Sequence, residues 1–529
     1  MSRILLLVLF LVWMAWPGDQ HRSVAPQWPW LMLFIGGYVT LVVLMGAWSR
    51  MLARRVATRN FQRNLRRFNQ TMFAARLMVP IWFAVGVWML GWGPLVSGGI
   101  GPDWARSVAG VIIGTFPAFA AWMGLWWSQY PADRALREQS LLMDWDNELP
   151  LHQPPPFRSY FSSNLRLQVL FTVVPVLMIV GVRDIMMHLP YWLGASPTDA
   201  RAEPVVELGS SIFAAAVVFL IAPEVLRRVL STCPLPAGPL RQRLEGLCRQ
   251  SGIKYRQILL WRTENNVGNA AVMGVLPFMR YVLLSDLLLE RMTDEEIEAV
   301  FAHELGHIVH RHMAWYGVFF VALLLLILPL QKAVDLFLPN IGPATNVWLL
   351  MVVFGSAGGF LLAFGALSRR CERQADVYAA RTMQMIKTGP MANPAEALLF
   401  PGQLAAVTGG GASPVLAYEA RSYVGPYGAK VFASALRRVA AINNIPINPR
   451  SEPHDGDIAA RVTAFVDSMV DLANHWFHGS ISGRMEYLEH LAADPRLTLG
   501  FDRRMLAVYA TLLLVLFSSV AMTVIICLS

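Results

Sequence analysis

Long apolar runs, repeatedly closed by arginines, constrain this chain more tightly than any other feature of its sequence. A short run from Ile4 to Trp16 is followed by a full-length one from Trp28 to Trp48. Others lie near 71–95, 107–128, 166–182, 206–226, 315–338 and 346–368, and a last one runs from Met505 to Cys527. Hydrocarbon offers the backbone no hydrogen-bond partners, so a run of about 20 apolar residues crosses it as a helix. These runs take up nearly half of the 529 residues, and the expected fold class is a mainly α, multi-pass membrane protein.

The arginines orient the spans. Behind Trp48 come Arg50, Arg54, Arg55, Arg59, Arg63, Arg66 and Arg67, which mark that loop as cytoplasmic. Arg227-Arg228, Arg369-Arg370 and Arg503-Arg504 fall on the same side at later returns, so about nine spans agree with one orientation. Pro17-Gly18-Asp19 supplies no small-x-small cleavage pattern, and the first run reads as a short signal anchor. Only 15% of residues are charged, against about a quarter in soluble domains. The net charge of +9 sits mainly at the ends of apolar runs, which fits a membrane orientation signal and excludes a nucleic-acid partner. Cys233, Cys248, Cys371 and Cys527 are scattered, with no disulfide framework and no paired metal spacing.

The pattern divides the chain into five stretches. Residues 1–228 form an N-terminal membrane region of about six segments; 229–313 are polar enough for a first soluble part; 314–368 make a transmembrane hairpin; 369–504 form a second soluble part; and 505–529 leave through the membrane. Arg183 and Asp184 sit at the outer interface or pair with each other. Gly355, Gly358 and Gly359 beside Ser356 read as close helix packing rather than an intramembrane serine site. Thr408 to Pro414 is loop-like.

The chemistry concentrates in Met292 to His307. Thr293 and Glu296 have capping-box spacing, and Ile297, Val300, Phe301 and Leu305 recur at helical intervals. His303-Glu304-Leu305-Gly306-His307 therefore falls in mid-helix. Residues four apart are rotated by only about 40° and rise about 6 Å, so His303 and His307 can share one Zn²⁺. Glu304 projects on another azimuth and suits a general base that takes the proton of a metal-activated water. Such a motif arises by chance in roughly one chain in a hundred of this composition.

A third ligand must come from elsewhere. His310 faces the same way as His303 but lies about 10 Å further along a straight helix. Met313 occupies the position where a metzincin would carry its third histidine. His310, Arg311 and His312 read as an interfacial cap on the helix. Beyond the hairpin, Glu372 and Asp376 are again four apart. Because the hairpin returns the chain to its start, Glu372 can complete the metal site and Asp376 can accept the outward N–H of a ligating histidine.

HExxH, a membrane hairpin and then Glu372-Arg373-Gln374-Ala375-Asp376 resemble the M48 peptidases, the group of the heat-shock protease HtpX, the CAAX-prenyl protease Ste24 and mitochondrial Oma1. The resemblance covers roughly 255–490 and implies a gluzincin-type domain, helical with a small β-sheet, on the cytoplasmic side. Asn269, Ala270 and Ala271, in a stretch ending at Gly274, are similar to the family's edge strand, and Tyr281 to Asp286 to the strand after it. The implied role of that edge is to receive an extended substrate by strand addition. His478 and Arg484 keep the family's downstream His-to-Arg spacing, with Gly479 for Pro and Met485 for Ile. Their implied roles are oxyanion stabilisation for His478 and support of the local structure or the oxyanion for Arg484. His454 with Arg461 is a rival pair, one residue too long.

The expectation is thus a membrane endopeptidase with one Zn²⁺ per chain. It would hydrolyse membrane or misfolded polypeptides at the cytoplasmic face of a bacterial inner membrane. Prenyl-protein processing of the CAAX type is the alternative within that class. A non-catalytic metal-binding sensor or transporter is the alternative outside it, and Glu304, dispensable for holding zinc, speaks against that. The oligomeric state is open.

Overall fold

The computed structural model describes residues 2–16, 28–56, 61–100, 107–146, 153–192, 203–264, 267–337, 345–388, 423–443, 445, 447 and 478–528. Thr408 to Pro414, His454 and Arg461 lie outside the described residues. The chain divides into two compact units: Met1–Leu230 with Leu330–Leu361 and Ser451–Asn474, and Ser231–Pro329 with Leu362–Arg450 and His475–Ser529.

The first unit is helical. Its elements are α1 (Ser2–Met14), α2 (Trp28–Val56), α3 (Phe61–Trp88), α4 (Trp92–Ile100), α5 (Val108–Asp146), α6 (Phe157–Asn164), α7 (Phe171–Trp192) and α8 (Glu203–Val229). A π-helical turn over Leu165–Leu170 joins α6 to α7. The core is aromatic as well as aliphatic: Phe34, Phe83, Trp122 and Trp126 are fully buried, and so are Leu6 and Leu9 of α1. The first apolar run is therefore packed into the bundle along its whole length. Asp184 on α7 accepts a hydrogen bond from the backbone N–H of Val108 at the start of α5, 3.2 Å away. Arg183 lies within 3.9 Å of Asp184 and 4.0 Å of Glu207.

The second unit holds a four-stranded sheet and the helices packed on it. Strands β1 (Thr232–Pro234), β2 (Gln257–Trp261), β3 (Ala270–Met273) and β4 (Tyr281–Ser285) are ordered β1-β2-β4-β3. β2 and β4 run parallel; the outer pairs are antiparallel. All five residues of β4 are buried, as the hydrophobic run Tyr-Val-Leu-Leu requires of a central strand. The helices are α9 (Pro239–Gln250), α10 (Asp286–Arg291), α11 (Asp294–Val309), the part of α12 (His312–Phe337) up to Pro329, the part of α13 (Thr345–Thr388) from Leu362 onward, α14 (Pro426–Ile442), α15 (Ile481–Ala493) and α16 (Pro495–Leu528).

Helix α11 starts where the sequence requires. The Thr293 hydroxyl accepts from the Glu296 N–H at 3.3 Å, and Glu296 accepts from the Thr293 N–H at 3.1 Å. Glu296 also accepts from Ser434 at 2.8 Å, which ties the first turn of α11 to α14. Along its length α11 buries Ile297, Phe301 and Leu305 in a core shared with Val282, Leu284, Ala380, Phe432 and Leu488.

Among the described residues, six helices are long and apolar enough to cross a membrane: Trp28–Val56, Arg63–Trp88, Val108–Gln139, Phe157–Leu189, Gly209–Val229 and Leu497–Ile526. A seventh arises only if α11 and the first part of α12 count together, across a bend of 47°. The count falls short of about nine in part because α1, with 13 residues, is too short to cross. Large apolar side chains stay exposed on these helices, including Met32 at 67%, Leu506 at 71% and Phe517 at 67%, as lipid contact requires. The protein is a multi-pass integral membrane protein.

One close approach sets the spacing of α11 and α13. A Cβ at Gly306 would lie 2.9 Å from the Ala375 Cα and 3.1 Å from the Tyr378 Cβ, so the two helices press together with no room for a side chain. Gly306→Val should force them apart. The expected loss of stability is about 1–3 kcal/mol, read as a lower melting temperature in detergent, together with loss of bound metal. Gly246→Ala on α9, where nothing lies within 4 Å of the added Cβ, should raise stability by up to about 1 kcal/mol.

Candidate metal centre

The face of α11 that carries His303 and His307 meets Glu372 and Asp376 on α13. The two imidazole Nε2 atoms lie 3.2 Å apart. Glu372 Oε2 is 3.6 Å from His303 Nε2, and its Oε1 is 3.7 Å from His307 Nε2. Donors at about 2.0–2.1 Å around a tetrahedral Zn²⁺ stand about 3.3 Å from one another. The three side chains therefore fit one ion, and among the described residues they form the only such group of His, Cys, Asp and Glu.

The hydrogen bonds around the histidines fix which nitrogen is available. Gln374 Oε1 can only accept, so His312 Nε2, 2.9 Å away, donates to it. His312 Nδ1 is then an acceptor, and His307 Nδ1 donates to it over 2.8 Å. That leaves His307 Nε2 with its lone pair turned to the shared space. His303 Nδ1 lies 2.9 Å from Asp376 Oδ1, and its Nε2 also faces His307. Two facing lone pairs need positive charge between them, supplied by a proton or a cation.

The carboxylates strengthen that demand. Asp376, 1% exposed, takes two hydrogen bonds from Arg484 on α15, at 2.8 and 2.5 Å. Burial alone would raise its pKa, but the Arg484 guanidinium and His303 hold it below the usual carboxylate range. Glu372 is likewise buried yet held well below that range by His478 and His303, with His478 Nδ1 at 3.0 Å. His303 is desolvated, which disfavours its cation, but Asp376 and Glu372 more than offset this and push it up to about 9. His307 is pulled down to about 3 by burial and the neighbouring His303, so it stays neutral. Two ionised carboxylates around one neutral imidazole and one that is held positively charged make a donor set in which a divalent cation can take the place of the His303 proton.

Glu304 stands beside this set. Burial raises its carboxyl above the usual range, against the opposing pull of His303, His478 and the nearby backbone of Val272 on β3. β3 is the terminal strand of the sheet. The Ser285 N–H donates to Asn269 O at 3.0 Å, so by antiparallel alternation Asn269 and Ala271 turn their backbone groups toward β4. Ala270 and Val272 turn theirs to the open side. Of Asn269, Ala270 and Ala271, then, Ala270 presents the edge, and Val272 continues it next to Glu304.

All residues singled out beyond the strand, namely His303, Glu304, His307, Glu372, Asp376, His478 and Arg484, come together. His312 corrects the reading of His310-Arg311-His312 as an interfacial cap. α11 ends at Val309, Arg311 adopts φ +54°, and α12 starts afresh at His312, which is fully buried against His307 and Gln374. Gln374 and Tyr509, whose hydroxyl donates to Gln374 Oε1 at 2.6 Å, extend the same chain of contacts into α16 and carried no signal in the sequence.

The sequence model of peptidase family M48 matches residues 234–406, which include α11, Glu372 and Asp376 and end before His478 and Arg484. A protease HtpX homologue of Variovorax paradoxus (strain S110) is 31% identical over 229 residues, 40% of this chain and 73% of that protein. The HtpX homologue of Polaromonas naphthalenivorans (strain CJ2) is 32% identical over 194 residues, 33% of this chain and 62% of that one. A CAAX prenyl protease 1 homologue of Arabidopsis thaliana is 28% identical over 162 residues, covering 28% and 38%. The chain spans less than two thirds of the length of several such relatives, from 43% to 62% in the cases of Aeropyrum pernix and P. naphthalenivorans. Among solved structures, S. mikatae Ste24p aligns over 88% of this chain and 100% of that one, with 16% identity and a TM-score of 0.41. Because nearly three quarters of an HtpX homologue is matched at 31% identity, and the M48 model spans the helices that carry His303, His307 and Glu372, this chain belongs to the M48 family of peptidases.

Proposed function

We propose that this protein is a zinc-dependent endopeptidase that cleaves membrane or misfolded polypeptides at the cytoplasmic face of a bacterial inner membrane. One observation carries the reading: the Glu304 carboxylate lies between a three-donor metal set and the backbone of a terminal β-strand. A purely metal-binding sensor or transporter would have no use for that placement. The seven Arg of the first loop and the basic pairs at later returns support the cytoplasmic assignment.

In this mechanism His303, His307 and Glu372 would hold the ion. Bound there, it would serve as a Lewis acid that lowers the pKa of a water toward ~7 and polarises the scissile carbonyl. An extended substrate adds to β3 through the open N–H and C=O of Ala270, which sets its peptide bonds alongside Glu304. Glu304 takes the proton as the water attacks and passes it to the leaving amine, a task suited to a carboxyl whose proton affinity burial has raised. His478, 66% exposed at its side chain and held near Glu372, is placed to stabilise the developing oxyanion. Arg484 acts through Asp376 and thereby fixes the His303 ring. The similarity to a CAAX prenyl protease homologue favours a prenylated polypeptide as the second reading of the substrate.

Glu304→Gln should retain about one zinc per chain by elemental analysis while cleavage of casein falls by 10²-fold or more; wild-type turnover in this variant would sink the mechanism. Glu372→Gln should fail first in zinc content, with activity following it. His478→Ala should lower turnover and leave zinc content near one per chain. His312→Phe removes the acceptor for His307 Nδ1, and the expected result is a zinc affinity about 10–100-fold weaker in competition with a chelator. A farnesylated peptide cleaved no faster than its unmodified twin would exclude the prenyl-protein reading.

A further inference from the structure

Far along the chain from the metal centre, within the first unit, a cavity of about 270 Å³ lies between the last turns of α2 and the first turns of α3. Its walls divide by chemistry. Trp48, Met51 and Leu52 of α2 form an apolar side, while Arg55, Asn64, Arg67 and Thr71 form a polar one. Among the described residues no carboxylate lines it. Asp133 and Glu138 on α5, the acids of the adjoining helix, are engaged by Arg137 and Arg134 at 2.8 Å each. The described lining therefore carries net positive charge.

Asn64 sharpens this. Its side chain is 2% exposed and lines the cavity, and its Nδ2 has no hydrogen-bond partner among the described residues. A buried amide donor left without an acceptor is destabilising, and nothing in the packing of α2 on α3 calls for an asparagine there. Around it, Leu52, Val56, Phe61, Phe68 and Met72 build an ordinary apolar cluster with Ala132 and Leu136. The Asn64 amide thus lacks an acceptor at a point that the Arg67 guanidinium also lines.

Its level in the bilayer identifies the acceptor. α2 exposes Met32, Val39, Val43 and Leu44 to lipid and then turns basic at Arg50. Trp48 stacks on Phe68 at 6.5 Å, and Arg50 lies over the Trp127 ring at 5.9 Å, the aromatic and arginine mixture of a membrane–water interface. An occupant with an anionic oxygen head and an apolar body would set the head against Asn64 and Arg67 and lay the body along Met51 and Leu52. We propose that this cavity is a binding site for the phosphate headgroup of an anionic membrane phospholipid, which bridges α2 and α3 at the interface.

The test uses the full chain in detergent, with native mass spectrometry and thermal unfolding as readouts. Dioleoyl-phosphatidylglycerol should be retained at one molecule per chain and should raise the melting temperature. Dioleoyl-phosphatidylcholine should do neither. Asn64→Leu with Arg67→Gln should weaken phosphatidylglycerol retention at least tenfold. Arg54→Gln with Arg63→Gln removes more charge from the same region but from outside the cavity lining, and should change retention by less than twofold. Asn64→Leu alone deletes an unmade donor, so without lipid it should melt no lower than the wild type yet gain little from phosphatidylglycerol. Three results would each overturn the proposal. One is equal losses in the two double variants, which would show diffuse attraction to a basic loop. Another is equal retention of phosphatidylcholine, which would show an apolar groove. The last is displacement of the lipid by millimolar inorganic phosphate, which would show a site for the free anion.

Discussion

Ionisable side chains from α11, α13 and α15 are buried together in the second unit, and they are tolerable there only because each satisfies another. A lone buried carboxylate or guanidinium costs several kcal/mol after relaxation. Here Arg484 grips Asp376, Asp376 faces His303, and Glu372 is held between His303, His307 and His478. Such a cluster is poor evidence of stability in itself, since well-packed apolar residues would serve better. It makes sense as a preorganised charge pattern that is completed by a cation. The close approach at Gly306 is what lets α11 and α13 share it.

The same pairing reaches outward in two directions. On one side, a chain of donors and acceptors runs from His307 through His312 and Gln374 to Tyr509 in α16, where Tyr509 also stacks on Trp315 at 4.3 Å. The orientation of a metal-facing imidazole is thereby tied to a helix long and apolar enough to span the membrane. On the other, Glu304 is tied to Val272 and so to the strand at the end of the sheet. Membrane anchorage, metal geometry and an edge for an extended chain thus converge on α11.

Much of this was legible in the sequence where local rules decide it. The capping box at Thr293 and the helical recurrence of Ile297, Phe301 and Leu305 placed His303 and His307 on one face. Glu372 and Asp376 could be brought near them by the return of a hairpin. His312 could not be found this way, because the break between α11 and α12 contains neither proline nor glycine and depends on a left-handed Arg311. A straight helix would have carried His312 away from His307. His478 and Arg484 rested on family spacing alone, and their closeness to Glu372 and Asp376 is a tertiary fact. The direction in which Ala270 and Val272 turn their backbone groups depends on strand register, which the alternation of apolar residues in so short a strand cannot specify.

Ligation of a single ion by His303, His307 and Glu372 is the central claim. Anomalous diffraction at the zinc absorption edge, on crystals of the purified full chain, tests it most directly. One strong peak per chain is expected, about 2.0–2.2 Å from His303 Nε2, His307 Nε2 and a Glu372 carboxylate oxygen. A peak ligated elsewhere, or bound to the histidines with Glu372 turned away, would contradict it.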